Sequence, residues 1–176
     1  MSLIQINQEL IDKVIANDRK AQFQLFELTK RLVYSLAFRI LNDEDEAQDI
    51  LQDTYIEIFQ QIRKLSHANA LISWIKTITV RKAIQRSKKT IRFETLDSIP
   101  EESHDELNSW FDAELLDQAI RSLPAGSRAV FVLVLVEGYG HQECGKMLGI
   151  SESTSKSQLN YAKGLLKKRI KTLLQA

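Results

Sequence analysis

Apolar residues recur every three or four positions through most of this chain, the spacing of amphipathic helices rather than of strands. Residues 7–16 read as a short helix. Asp18 can cap a long helix that runs to Leu41, with the stripe Leu25, Leu28, Leu32, Leu36 and Ile40 on one face. Asn42 and Asp43 break it. The next helix, over 44–61, places Ala47, Ile50, Leu51, Tyr55, Ile58 and Phe59 inward and its acids on the other side. A loop over 66–69 leads to a helix over 70–88, with Leu71, Trp74, Ile75, Ile78 and Ala83 facing in and its basic residues facing out. Residues 89–109 interrupt the pattern: Pro100, several Ser and Thr and a dense run of acids suit a mobile linker. Trp110 and Phe111 start a second helical segment that ends at Ala176. Within it, the β-branched run 130–136 slightly favours a strand by propensity. A lone strand has no partner in a helical chain, and Pro124 before the run and Gly138 after it suit helix ends, so it is read as a buried helix. The pattern predicts an all-α fold of two small helical domains, 1–88 and 110–176, joined by an acidic flexible linker over 89–109.

The last fifty residues carry the most information. A short helix over 141–148 is followed by the tight turn Gly149-Ile150-Ser151 and a longer helix over 153–174. Gly149 can adopt the left-handed backbone angle that ends one helix and redirects the chain. Ser151 or Ser153 can cap the next by accepting from its unpaired N–H groups. Gly145 is small enough to let two helices cross closely. The second helix opens with small polar residues and then carries Lys156, Lys163, Lys167, Lys168, Arg169 and Lys171 with no acid between them. Such a helix can lie in a DNA major groove, its start touching bases and its charges touching phosphates. The plain structural alternative is a helical hairpin with a solvated basic face.

A length of 176 residues allows one domain or two small ones, and only two prolines and six glycines argue for long helices. The single cysteine, Cys144, excludes an internal disulfide and fits a reducing cytoplasm; its position reads as a small core residue. His67, His104 and His141 lack metal-ligand spacing, so no metal is assigned. The longest apolar run, 129–136, is too short to cross a bilayer, and the N-terminus lacks the pattern of a secretion signal. The expectation is a cytoplasmic protein with no direct membrane insertion.

The net charge of +1 conceals a strong segregation of sign. Residues 43–57 hold seven acids and no base, 76–92 seven bases and no acid, 94–117 nine acids and no base, and 156–171 six bases and no acid. Any one block can be a solvated helix face; four in alternation point to separate surfaces facing partners of different sign.

These residues carry a resemblance to the extracytoplasmic-function group of bacterial sigma factors, the small promoter-recognition subunits of RNA polymerase. The run Asp45-Glu46-Ala47-Gln48-Asp49-Ile50-Leu51-Gln52-Asp53 is similar to the acidic D-x-A-E-D-L-x-Q-E pattern of sigma region two, and Ser73-Trp74-Ile75-Lys76-Thr77-Ile78 to its W-L-x-x-I segment. Leu123-Pro124, Arg128, Glu137-Gly138-Tyr139, Gln142-Glu143, Leu148-Gly149-Ile150-Ser151 and Thr154-x-Lys156-Ser157 follow the order and spacing of sigma region four. The resemblance implies a region two-like helical bundle and a region four-like helix-turn-helix. It implies that Asp45, Asp49, Gln52, Asp53 and Glu57 face the clamp helices of the large subunit of core polymerase. It implies that Lys76, Arg81, Lys82, Arg86, Lys88 and Lys89 hold the melted downstream promoter strand, and that Thr154, Lys156, Ser157, Asn160, Tyr161 and Lys163 face the upstream promoter element. An anti-sigma factor is expected as a further partner. Trp74, tempting as a stacking platform, matches a core position.

The chain also departs from the family. Arg81 stands where Asn is frequent and Gln85 where Asp is; Arg81 has no acceptor with which to read a base edge, so backbone contact is its expected role. Tyr161 replaces a frequent Arg and cannot read guanine bidentately, so the upstream element is expected to differ from familiar ones. Ser155 replaces an apolar residue, leaving Leu159, Ala162 and Leu166 to hold the helix packing.

No nucleophile elbow, phosphate loop or carboxylate pair beside an apolar cleft occurs in the sequence, so no catalytic residue and no cofactor are assigned and the chain is expected to act by binding. Two rivals remain. A helix-turn-helix transcriptional regulator acting without core polymerase would bind its operator tightly as a dimer; a helical adaptor with no DNA role would tolerate charge reversal at Lys156 and Lys163. The acidic linker is expected to lie near the basic helices and lower their nonspecific DNA affinity. Neutralising Glu101, Glu102, Asp105 and Glu106 together should then raise that affinity in a salt titration; an unchanged salt slope would remove the idea.

Overall fold

A computed structural model of the chain describes residues 6–93 and 113–175. Most of the predicted linker, together with Trp110 and Phe111, lies outside the described residues. The chain divides into two units, Met1–Arg86 and Ser87–Ala176. Every described element is a helix or helical turn.

The first unit is built from α1 (Gln8–Ile15), α2 (Arg19–Leu41), α3 (Glu44–Gln61) and α4 (Leu71–Ser87), with single 3-10 turns at Ile62–Lys64 and Ala68–Ala70 before α4. Short polar side chains start the first three. Asn7 Oδ1 accepts from the Leu10 N–H at 2.9 Å, Asp18 from Lys20 and Ala21 at 2.8 and 3.1 Å, and Asp43 from Glu46 at 2.9 Å. Each such cap stabilises its helix by about 1 kcal/mol. The break expected after Leu41 has a specific form: Asn42 sits in the left-handed region at φ 53° and ends α2, a conformation Asn tolerates better than most residues. This turn folds α3 back along α2. Ala37, Ala47 and Ile50 fill the space next to it, with Tyr34, Phe38 and Leu41 around them. The larger core joins Leu10, Ile11 and Val14 of α1 to Leu25 and Val33 of α2, Leu51, Tyr55 and Ile58 of α3, and Leu71, Ile75 and Ile78 of α4. Burial of each large side chain contributes about 1.5–3 kcal/mol.

The leucine stripe read along α2 is rotated from the true inner face. Leu25, Leu36 and Ile40 are buried, but Leu28 and Leu32 are only half-buried, and Ala21, Thr29, Val33 and Ala37 take the inner positions. Thr29 can be buried because its hydroxyl donates to the Leu25 carbonyl at 2.8 Å and shares a hydrogen bond with the Tyr55 hydroxyl. The Tyr55 ring meets Phe26 edge-on, centroids 4.8 Å apart. Along α3 the expected inner residues are buried except Phe59, which is half-buried; Thr54 joins them. In α4, Trp74 is half-buried and packs on the core from its edge, while Thr79, Val80 and Ile84, absent from the expected set, are buried.

The second unit contains α5 (Ala113–Arg121), α6 (Ala125–Phe131), a π-helical turn over Val132–Val136, α7 (His141–Leu148) and α8 (Glu152–Leu174). The helical reading of 130–136 holds, but its description as buried holds only for the first part. The Glu137 N–H reaches back five residues to the Val132 carbonyl at 2.9 Å. That widened turn rotates the following side chains, so Val130–Leu133 are buried while Leu135 and Val136 are 46% and 40% exposed. Helix α8 packs against α5, α6 and α7 through Leu159, Ala162, Leu166 and Ile170, all buried, and the first three are the residues expected to carry this packing. Two polar contacts lie inside. Ser127 Oγ donates to Gln158 Oε1 at 2.7 Å, and the buried Arg128 guanidinium donates to the Leu123 carbonyl at 2.8 Å at the end of α5. Burial pushes the Arg128 pKa below its ordinary value.

Burial of Tyr55 pushes its phenol up to about 12, against a smaller opposing effect of the Thr29 hydrogen bond. The folded value then lies above the unfolded one of about 10, so this contribution is complete below pH 10 and is lost as pH rises toward 12. The stability advantage of the native chain over Tyr55→Phe in urea unfolding should shrink by about 1 kcal/mol between pH 9 and pH 11. A gap constant over that window would contradict the assignment.

Candidate nucleic-acid interface

Helix α3 begins with Glu44, Asp45 and Glu46 in its first turn, where carboxylates complement the unpaired N–H groups and the positive end of the helix dipole. Part of the acidic block therefore serves the helix itself. Further along, helical periodicity sends the side chains three ways. Ala47, Ile50, Leu51, Thr54, Tyr55 and Ile58 go into the core. Asp45, Asp49, Gln52 and Asp53 are exposed, and Ile56 stands among them with 57% of its surface in solvent. Glu46 and Glu57 turn toward α4.

The expectation of separate acidic and basic surfaces needs correction here. Glu57 Oε1 accepts from Arg81 Nη2 and its Oε2 lies 3.1 Å from Lys82 Nζ. Arg86 Nη1 lies 3.0 Å from Glu46 Oε2, without hydrogen-bond alignment, and Arg86 Nη2 lies 3.8 Å from Asp49 Oδ2. Three of the six expected strand-facing cations thus meet three acids of the neighbouring helix. The physical reason is that opposite charges on packed helices lower each other's cost of partial desolvation. The Arg81 and Arg86 side chains keep 58% and 39% of their surface exposed, so the contacts of Arg86 contribute about 0–1 kcal/mol and both guanidinium groups keep nitrogens for a further partner; Glu57 and Lys82 are more enclosed, at 15% and 22%. Lys76 is half-buried; Lys88 and Lys89 are exposed just beyond the end of α4. Sequence spacing gives no sign of the Glu57–Arg81 contact, because only the packing of α3 on α4 brings together residues 24 apart.

In the second unit the helix-turn-helix takes the expected form. Gly149 ends α7 at φ 70°, its N–H bonded to the Gly145 carbonyl, and Ser151 rather than Ser153 caps α8, accepting from the Thr154 N–H at 2.9 Å. Helix α8 starts one residue earlier than read, at Glu152. Gly145 has a sharper role than easing a helix crossing. A Cβ there would stand 2.7 Å from the Ile150 carbonyl oxygen, so the turn itself needs the missing side chain. Ser155 does not merely weaken the packing: fully buried, it bonds His141 Nδ1 at 2.9 Å and ties the start of α7 to the start of α8. Cys144 is buried as expected; burial pushes its thiol up, partly offset by a hydrogen bond involving Ser155.

Of the residues expected to face the upstream element, Lys156 and Asn160 are exposed and Thr154, Ser157, Tyr161 and Lys163 are half-buried on the first turns of α8. Lys156 is paired with Glu152 at 2.7 Å across one turn. That i,i+4 spacing was legible in the sequence, but Glu152 lay just outside the helix as read. Among the described residues no cluster of His, Cys, Asp and Glu could hold a metal ion, and no helix is long and apolar enough to cross a membrane.

Comparison with known proteins follows the same division. Residues 25–93 match the family model for sigma-70 region 2 and residues 113–166 the model for sigma-70 region 4. The ECF RNA polymerase sigma factor SigE of Mycolicibacterium smegmatis is 30% identical over 137 residues, covering 73% of this chain and 53% of that protein, so the chain spans about half the length of this relative. SigM of Mycobacterium tuberculosis, also an ECF RNA polymerase sigma factor, is 29% identical over 163 residues, covering 91% and 82%. In three dimensions the chain is similar to CnrH, solved in complex with the cytosolic domain of CnrY, with a TM-score of 0.55 at 17% identity, covering 96% and 99%. It is also similar to the sigma factor RpoE of Bartonella quintana, solved with the anti-sigma factor NepR, with a TM-score of 0.51 at 20% identity, covering 84% and 95%. At these identities the two structures speak for the fold.

Gly145→Ala should force the α7–α8 turn open and lower the stability of the second unit by about 1–3 kcal/mol. The loss should appear as a lower urea midpoint for that unit, and a midpoint equal to that of the native chain would show that the turn absorbs the methyl group.

Proposed function

The chain belongs to the extracytoplasmic-function sigma factors, and from that premise we propose that it binds core RNA polymerase and directs it to promoters. The observation that carries the proposal is the pairing, on one chain, of an acidic helix and a basic helix in the first unit with a helix-turn-helix in the second, over the two matched regions. Its activity is binding rather than catalysis.

Each surface has a physical task. The exposed row Asp45, Asp49, Gln52 and Asp53, with Ile56 among it, docks on a basic helical surface of the polymerase large subunit. Carboxylates that pair with arginines across an interface orient the encounter and speed it, and a solvated apolar side chain gains by burial there. Helix α4 holds the separated downstream strand by its backbone. Lys76, Arg81, Lys82, Arg86, Lys88 and Lys89 supply cations whose neutralisation of phosphates releases counterions. Helix α8 enters the major groove at the upstream element with Thr154, Lys156, Ser157, Asn160, Tyr161 and Lys163 on its leading turns. Each DNA contact alone is weak, and holding both on one polymerase raises their effective concentration. An anti-sigma protein is the expected regulator; the RpoE structure holds one, NepR.

Purified chain added to core polymerase and sheared DNA of its own bacterium should produce transcripts with discrete 5′ ends that share an upstream sequence motif. Start sites identical to those made by core polymerase alone would reject the proposal. Asp49→Lys combined with Asp53→Lys should weaken core binding at least tenfold, about 1.4 kcal/mol, with an unchanged circular dichroism spectrum. Full retention of core binding would move the docking surface elsewhere.

A further inference from the structure

We infer that Glu57 is a positioning residue of the strand-binding helix α4, setting how much of its charge is available to nucleic acid, and not a contact to polymerase. The inference rests on the sigma-factor reading above and reassigns one residue within it.

By spacing alone Glu57 continues the acidic row, four residues after Asp53 and eight after Asp49. The packing of α3 removes it from that row. Its side chain keeps 15% of its surface exposed, against 59% for Asp49, and the neighbouring position on the open face is Ile56. Both carboxylate oxygens are already engaged. Oε1 accepts from Arg81 Nη2 and from Gln61 Nε2, the latter at 3.2 Å, and Oε2 faces Lys82 Nζ at 3.1 Å. Burial pushes this carboxyl up, but the hydrogen bonds and charges of Arg81 and Lys82 outweigh it and hold the pKa below the usual carboxylate range. An arginine of a docking protein would have to displace two cations of the chain's own fold to reach it.

One carboxylate therefore compensates two adjacent cations of α4. A strand phosphate approaching Arg81 or Lys82 competes with Glu57 for them, so the local charge offered to the strand is close to that of one cation rather than two. Glu57 also restrains both long side chains, which lowers the entropy they lose when a phosphate binds in a compatible position. The two effects oppose each other, and the charge term is the larger for a flexible, sequence-independent ligand whose affinity comes from counterion release.

Binding of the full chain to a fluorescein-labelled 20-nucleotide single-stranded DNA, titrated at several KCl concentrations, tests this beside a core-polymerase affinity measurement. Glu57→Gln keeps the shape and removes the charge. It should tighten oligonucleotide binding about three- to tenfold at low salt and steepen the salt dependence by roughly 0.7 for each phosphate newly neutralised, while core affinity stays within twofold. In the Arg81→Gln, Lys82→Gln background the same change should have little effect, the mark of coupling through those two cations rather than of net charge. An unchanged salt slope in Glu57→Gln, or an equal effect with and without Arg81 and Lys82, overturns the assignment. A tenfold loss of core affinity in Glu57→Gln overturns it as well and returns Glu57 to the docking row, leaving the sigma-factor reading intact. That broader reading fails by a different result, native chain that does not associate with core polymerase at all.

Discussion

One helix of the first unit must satisfy three neighbours at once, and that demand on α3 organises the rest. A helix places successive side chains about 100° apart, so a single sequence can bury one face, pair a second and offer a third. Helix α3 uses Ala47, Ile50, Leu51, Thr54, Tyr55 and Ile58 against α2 and the core. It uses Glu46 and Glu57 to hold the cations of α4, and it leaves Asp45, Asp49, Gln52, Asp53 and Ile56 in solvent. Asp49 touches both of the last two sets, exposed yet 3.8 Å from Arg86. The exposed acidic row proposed to meet polymerase and the basic helix proposed to meet a DNA strand are therefore adjacent and share charges.

The second unit solves a different problem, that of presenting the start of α8 rigidly. Three contacts converge there. Gly149 and Gly145 make the turn tight, with the chain passing so close to Gly145 that no Cβ fits. Ser151 accepts from one of the first N–H groups of α8, that of Thr154. The partly buried bond between the buried Ser155 and His141 links the opening turns of α7 and α8. The Ser155 hydroxyl is buried, and it is tolerated there because it is paired. Further along, Ser127 and Gln158 repeat the device between α6 and α8. Buried, satisfied hydrogen bonds are directional in a way that apolar contacts are not, so they fix the register of α8 against its supports as well as its distance from them.

Most of the helices were legible because their signals are local. Asp18 and Ser151 read as caps and Asn42 and Gly149 as helix ends, because each capping oxygen sits within three residues of its N–H partner; Asn7 and Asp43 cap α1 and α3 by the same local geometry. The acidic row and the basic helices were legible for the same reason, as runs of one sign with helical spacing. Errors appeared where a local rule met a neighbour. The leucines of α2 suggested an inner face turned away from the real one, because Ala21, Thr29 and Ala37 are small enough for α3 and α1 to approach and size complementarity decided the rotation. The run 130–136 was helical as read, yet the π-turn that exposes Leu135 and Val136 has no signature in composition.

By itself the sequence determined the helical class, the caps and turns, the paired domains of a sigma factor and the sign of each surface, since these follow from residue type and from spacing along one helix. Only tertiary structure decided which charges remain available. Glu57 and Arg81 are 24 residues apart and no periodicity connects them; they meet because α3 and α4 contribute Leu51, Ile58, Ile75 and Ile78 to one apolar core. Coulombic attraction acts through space and is indifferent to chain order, so an acid read as part of a docking row became the counter-ion of the basic helix α4 once the core had closed.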